Sequence, residues 1–310
     1  MPNQIIAIEE HFTSPQLRKV IPPRAGPIQE MLDNMSTRLI KDMDEAGIDI
    51  AVLSENNPAA GNLDPEQSVA TAKASNDFLH EQIQANPKRF KGFAALPLPD
   101  PKAAADELER GVTKLGLLGA MIMGTSRGQF VDDKKFWPVF ERAAKLDVPV
   151  YIHPSPVKPA VVEAFFHDHA APLQGSPMGF GLETLTHTFR LITSGLFDAY
   201  PTLKIIVGHL GETAPYTLWR TEHNLAKVMK LPKSFSDYYK THFWLTTSGA
   251  FSNSALACAI AEMGIERIIF AVDWPYINNA LGTKWLKAAP VSDKDRALIA
   301  EGNARKLLKM

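Results

Sequence analysis

Glu9 and His11 are the first residues of this 310-residue chain whose types and spacing suit chemistry. They follow an apolar run at residues 5–8 and lie two apart, so an extended strand turns both to the same side. A carboxylate and an imidazole converging at a strand end are half of a cation site. Matching groups close two other apolar runs: His153 after residues 148–152, and Asp273 after residues 268–272. Together they form a mixed N/O donor set suited to Zn or Mn. His209 closes the run 203–208 and reads either as a fifth ligand or as a general acid–base group. Glu212, three residues on, is placed to orient that imidazole or to cap a helix. Arg220 offers a guanidinium to a substrate carboxylate, or a structural ion pair.

Each residue alone has a plainer reading: a satisfied histidine, a rim carboxylate, or an Asp capping a helix at Asp273-Trp274-Pro275. Their common placement at strand ends favours the cation site. His187 and Arg190 fall mid-helix and read as structural, and His80, His223 and His242 as surface or packing residues. His167 and His169 lie in a long loop at the mouth. The chain has no Gly-x-Ser-x-Gly elbow, phosphate loop or Cys-x-x-Cys. Cys258 stands alone without a histidine partner, which argues against a cysteine nucleophile.

These residues need a scaffold that brings strand ends together. Runs at 48–54, 90–98, 116–123, 148–153, 203–209, 243–248 and 267–273 join the first to make about eight strands. They are near-continuously apolar, as parallel strands covered on both faces are. Helical stretches at 36–46, 65–85, 133–145, 182–199, 212–230, 254–264 and 292–308 alternate with them. Another opens at Asp100-Pro101, and Gly111 and Gly264 stand where helices would stop. The alternation predicts an α/β chain folded as a (β/α)8 barrel, one domain over residues 1–310. An open doubly wound sheet is the runner-up, weakened by the lack of a Gly-x-Gly-x-x-Gly turn. Long connections at 13–34, 56–64 and 155–181 follow strands, on the face where barrels carry their chemistry.

The net charge of −1 offers no field for nucleic acid or anionic membrane. No apolar run approaches a bilayer span, and the N-terminus lacks a signal-peptide pattern. A single cysteine excludes an internal disulfide, so the expected location is the cytoplasm.

At Ala7-Ile8-Glu9-Glu10-His11-Phe12, Tyr151-Ile152-His153-Pro154, Gly208-His209-Leu210-Gly211-Glu212, Leu218-Trp219-Arg220, Thr246-Thr247-Ser248-Gly249 and Asp273-Trp274-Pro275, the chain resembles the decarboxylase branch of the amidohydrolase superfamily. That branch includes γ-resorcylate, 2,3-dihydroxybenzoate, salicylate and 5-carboxyvanillate decarboxylases, and is related to the aminocarboxymuconate semialdehyde decarboxylases. The resemblance covers almost the whole chain, including a C-terminal helix at residues 302–308. It implies a barrel with one divalent ion, Zn or Mn, and no organic cofactor. Glu9, His11, His153 and Asp273 match the ligand positions, His209 the active-site histidine, Glu212 its partner, and Arg220 an arginine near the substrate. The activity it implies is non-oxidative decarboxylation of a hydroxylated aromatic acid, reversible with bicarbonate. In that scheme Asp273 protonates the ring carbon while His209 and Glu212 handle hydroxyl protons. It also implies a homo-oligomer, a dimer or tetramer.

Departures fall around the mouth. Residues 124–130 are shorter than in the γ-resorcylate enzymes, Glu55 and Asn57 replace more apolar neighbours, and the loop at 167–172 differs from the usual His-Pro-aromatic sequence. The alternative is a metal-dependent hydrolase or hydratase of the same superfamily, in which the ion activates water. Against it, Glu9-x-His11 replaces His-x-His, and Met121, Ile122 and Met123 stand where a bridging lysine would end strand four. A non-catalytic barrel is the third reading.

Overall fold

Parallel pairing runs in chain order around the molecule. The computed structural model describes residues 4–310, so the first three residues of the expected domain lie outside the described residues. The strands are β1 (Ile6–Phe12), β2 (Ile50–Glu55), β3 (Phe90–Gly92), β4 (Ala94–Ala95), β5 (Ala120–Met123), β6 (Val150–His153), β7 (Ile205–Val207), β8 (Phe243–Thr246) and β9 (Ile268–Ile269). β1-β2-β3 form one ladder and β4 through β9 the other, every pair parallel. β3 and β4 are two halves of one barrel position. Phe93 N–H donates back to Leu53 (2.9 Å), and Ala94 N–H donates forward to Gly119 (2.9 Å). The seam closes where Asp273 N–H donates to Glu9 O (2.9 Å) and His11 N–H to Trp274 O (2.8 Å). Eight positions therefore complete the expected (β/α)8 barrel.

Two apolar layers hold it. Ile6, Ile8, Val52, Phe93, Met121, Tyr151, Ile206 and Ile269 fill the lumen. Ala7, Leu53, Ile122, Ile152, Val207 and Leu245 face the surrounding helices. The alternation follows the period of two along each strand. Removing one of these buried aliphatic side chains costs about 2–5 kcal/mol.

Several boundaries differ from expectation. The helix Pro101–Leu115 opens as predicted, with Asp100 accepting from Ala103 N–H (3.0 Å), but it runs through Gly111 and stops at Gly116. Gly111 instead lets the helix approach β4: a Cβ there would lie 3.3 Å from that of Ala94. The helices Phe235–His242 and Asn279–Ala288 fall in stretches not assigned to any element. The ladder of the last apolar run ends at Ile269, so Asp273 sits four residues past the strand.

Candidate metal centre and active site

A one-residue irregularity in β1 aims the first two ligands. Ile6 and Ala7 pair with Ile50 and Ala51, but Glu10 and His11 pair with Leu53 and Ser54, so β1 carries one extra residue. Without this bulge the parity that puts Ile6 and Ile8 in the lumen would turn Glu9 and His11 outward. Bulges of this kind re-aim side chains beside active sites.

Glu9 is fully buried with its carboxylate divided between two tasks. Oε2 accepts from the hydroxyls of Tyr151, Ser248 and Thr246, the last at 3.0 Å. Oε1 has no hydrogen-bond partner and stands 3.5 Å from His153 Nε2. A Cβ on residue 208 would lie 2.9 Å from Glu9 Oε2, so Gly208 is needed for the approach. His153 Nδ1–H donates to Pro154 O (2.7 Å), which leaves the Nε2 lone pair facing the centre. Burial and the neighbouring His11 push the His153 imidazolium down to about 3, so this ring is neutral, as a ligand must be. The His11 and His153 rings meet edge to face at 4.8 Å.

Asp273 adopts φ +77°, a left-handed conformation uncommon for a residue with a side chain. Its Oδ1 lies 3.2 Å from His11 Nε2 and its Oδ2 3.8 Å from His209 Nε2. Burial raises its carboxyl, but the His11 and His209 imidazoles outweigh that and hold it below the ordinary range. One ligand atom each from Glu9, His11, His153 and Asp273 fall within 4.8 Å of one another. Glu9 Oε1, His11 Nε2 and Asp273 Oδ1 are buried without hydrogen-bond partners. Three orphaned polar atoms turned on one point, in a two-nitrogen, two-oxygen set, fit a divalent cation. Among the described residues it is the sole such cluster. Met121 lies in the lumen core, and among the described residues no second ligand set accompanies the first.

His209 lies two residues beyond β7, in a turn where residues 209–212 all have positive φ (53°, 54°, 76° and 56°). For the three residues with side chains this costs about 1 kcal/mol each. The turn brings His209 Nδ1 to 2.9 Å from Glu212 Oε1 while Nε2 faces Asp273. Burial lowers the His209 imidazolium, but Asp273 and Glu212 more than offset it and hold it well above its usual range. Gly181 makes room for Glu212: a Cβ there would lie 2.9 Å from Oε2.

Six of the seven sequence-predicted residues converge. Arg220 does not join them. It is exposed on the helix Ala214–Leu225, and among the described residues its guanidinium has no ion-pair or hydrogen-bond partner. His167 and His169 are exposed, with His167 paired to Asp168. His187 is structural, bridging Glu183 and the Val131 amide, and Arg190 grips Asp132 with two bonds of 2.9 Å.

Sequence reasoning gave no role to several residues around the site. Tyr151 sits two before His153 on the same strand face, a signal that was available. Thr246 and Ser248 share a face in the same way. Glu10 lies directly behind the ligands: it accepts from Val272 N–H (3.0 Å) and Trp274 N–H (2.9 Å). Burial pushes its carboxyl well up, and the two amides act against that. At the rim, Tyr276 packs its ring 6.0 Å from that of His11 and donates to Asn56 Oδ1 (2.6 Å).

The amidohydrolase family matches residues 26–310. A γ-resorcylate decarboxylase of Polaromonas sp. strain JS666 is 41% identical over 325 residues, covering 99% of each chain. The crystal structure of a dihydroxybenzoic acid decarboxylase from the same strain, with bound manganese and the inhibitor 2-nitroresorcinol, superposes with a TM-score of 0.91 at 40% identity, covering 99% of this chain and 97% of the other. A 5-carboxyvanillate decarboxylase from Novosphingobium aromaticivorans, complexed with manganese and 4-hydroxy-3-methoxy-5-nitrobenzoic acid, gives 0.93 at 31% identity, covering 99% and 96%. With its barrel, its single four-residue ligand cluster and this full-length similarity, the chain belongs to the amidohydrolase family.

Proposed function

We propose that the protein is a metal-dependent, non-oxidative decarboxylase of a hydroxylated aromatic carboxylic acid, able in reverse to carboxylate a phenol. The observation that carries this reading is the approach of the His209–Glu212 pair to Asp273 on the edge of a single cation site. A site with one ligand cluster and a separate proton-handling pair suits proton delivery to carbon better than binuclear activation of water.

Glu9, His11, His153 and Asp273 would hold a divalent cation, Mn or Zn, whose positive charge would offset the carboxylate and ortho hydroxyl of the substrate. Asp273 divides its labour as Glu9 does. Oδ1 belongs to the ligand cluster, and Oδ2, anionic at rest, takes a proton from the His209 imidazolium and passes it to the ring carbon bearing the carboxylate. The bond between that carbon and the carboxylate then breaks, its electron pair returns to the ring, and CO2 leaves. His209, steadied by Glu212 and having given that proton to Asp273, accepts one from the phenolic hydroxyl. Overall one proton is taken up for each CO2 released. Arg220 is assigned to the substrate carboxylate by the family resemblance alone, since it stands exposed outside the cluster. The chain works as one domain over residues 1–310, in the cytoplasm and as a homo-oligomer. Among the described residues no helix is long and apolar enough to cross a membrane.

Metal analysis of the purified protein, coupled to CO2 detection across a panel of ortho-hydroxybenzoates, tests the reading. About one Mn or Zn per chain with CO2 release is expected. One cation with water uptake and no CO2 would transfer the site to hydration. No cation after reconstitution would remove the basis of the proposal.

A further inference from the structure

Glu10 is not a member of the ligand cluster, yet it is as buried as the ligands, with 1% of its surface exposed. No cation pairs with it among the described residues. Its two oxygens accept the amides on either side of Asp273, Oε1 from Val272 and Oε2 from Trp274. The amide between them, that of Asp273, donates to Glu9 O. All three consecutive N–H groups at residues 272–274 are thus held by the Glu9–Glu10 pair, two of them by one side chain. The residue at the centre is the one with φ +77°.

We infer that Glu10 is a positioning residue, whose two-point grip on the flanking amides fixes the left-handed backbone of Asp273 and so aims its carboxylate at the cation and the ring carbon. Main-chain pairing reaches this segment only through the isolated parallel bridge of Glu10 with Trp274, in which the Asp273 amide donates to Glu9 O; it leaves the amides of Val272 and Trp274 to the Glu10 side chain. A carboxylate suits the task because both its atoms accept. A glutamine would turn an NH2 toward one of two N–H groups, and an aspartate is one methylene short. The bulge in β1 makes the arrangement possible: it sends Glu9 and His11 to the lumen and leaves Glu10 facing the seam. Through the proton step this inference rests on the decarboxylase reading; its metal-binding consequence does not.

The test is Glu10→Gln in the full chain, read by Mn titration against a competing chelator and by kcat and KM at saturating Mn. The expected result is a Mn dissociation constant raised at least about tenfold, and kcat lowered at least about tenfold with KM within about threefold. Affinity and kcat both within about threefold of wild type, with any loss confined to the melting temperature, overturns the inference. An inactive wild-type chain that binds Mn would fail the functional reading and leave the affinity comparison to decide this one. If the variant does not fold, amide exchange in the wild-type chain without added cation decides. Protection of the Val272 and Trp274 amides above about 100-fold supports the grip, and lower protection overturns it.

Discussion

Glu9 lies within β1 and Glu55 ends the neighbouring β2; both are buried, and among the described residues neither has a lysine or arginine partner. Their surroundings differ in kind. Glu9 faces the lumen, has three hydroxyls on one oxygen, and turns the other, unpaired, toward an imidazole. Glu55 faces outward beside the helix Pro65–Ala85. It accepts the Ser14 amide (2.8 Å) and lies against the Ser14–Ser75 hydroxyl pair. Burial pushes Glu55 up to about 7, against the pull of those donors. A buried carboxyl is therefore no mark of function by itself. What marks Glu9 is convergence: its free oxygen shares a point with groups from β6 and from beyond β9.

Four changes would break or sharpen that contrast. Asp273→Asn, at the far side of the same centre, is expected to cut turnover by about a thousandfold or more while most of the metal stays bound; full CO2 release would take the proton step away from Asp273. Tyr151→Phe removes one of the three donors on Glu9. Mn affinity should then fall about 10–100-fold by chelator competition, and unchanged affinity would make the trio mere packing. For Glu55 the sign is opposite to that of an ordinary ion-paired carboxylate. Its folded-state value lies above its ordinary 4.5, so its contribution is fully present below about pH 4.5 and is lost as pH rises through about 7. The wild type should lose of the order of 2 kcal/mol, about 30-fold in the folding equilibrium, relative to Glu55→Gln between pH 5 and pH 8. Parallel urea midpoints at both pH values would show that Glu55 does not titrate in this range. The smallest effect is expected at Arg220, the exposed counterpart of these buried groups. Arg220→Met should raise KM about fivefold with kcat unchanged, and an unaltered KM would remove it from the substrate's path.

The sequence reading reached the ligands because each closes an apolar run, and alternation within a strand carries side-chain direction. It could not see the bulge. Counting from Ile6 with a strict period of two would have turned Glu9 and His11 outward, and only the pairing register reveals the extra residue. His209 was legible by position, but not the left-handed turn that swings it onto Asp273. Glu10 was hidden for a different reason. Its partners are backbone amides 262 and 264 residues away, and amides carry no sequence signature. The helix Asn279–Ala288 went unassigned, and its cap is Asn278, accepting from Ala280 N–H (2.8 Å), rather than Asp273.

The seam between the first strand and the last bears on how the protein is made. Glu9 and His11 leave the ribosome more than 260 residues before Asp273 and the amides that Glu10 grips. The cation site cannot exist on a nascent chain, and zinc or manganese has nothing to bind until the barrel has closed. Loading is thus a late event. A cation that binds the closed barrel and not the open chain then works as a fastener, adding stability with the logarithm of its concentration over its dissociation constant, about 2.7 kcal/mol at a hundredfold excess.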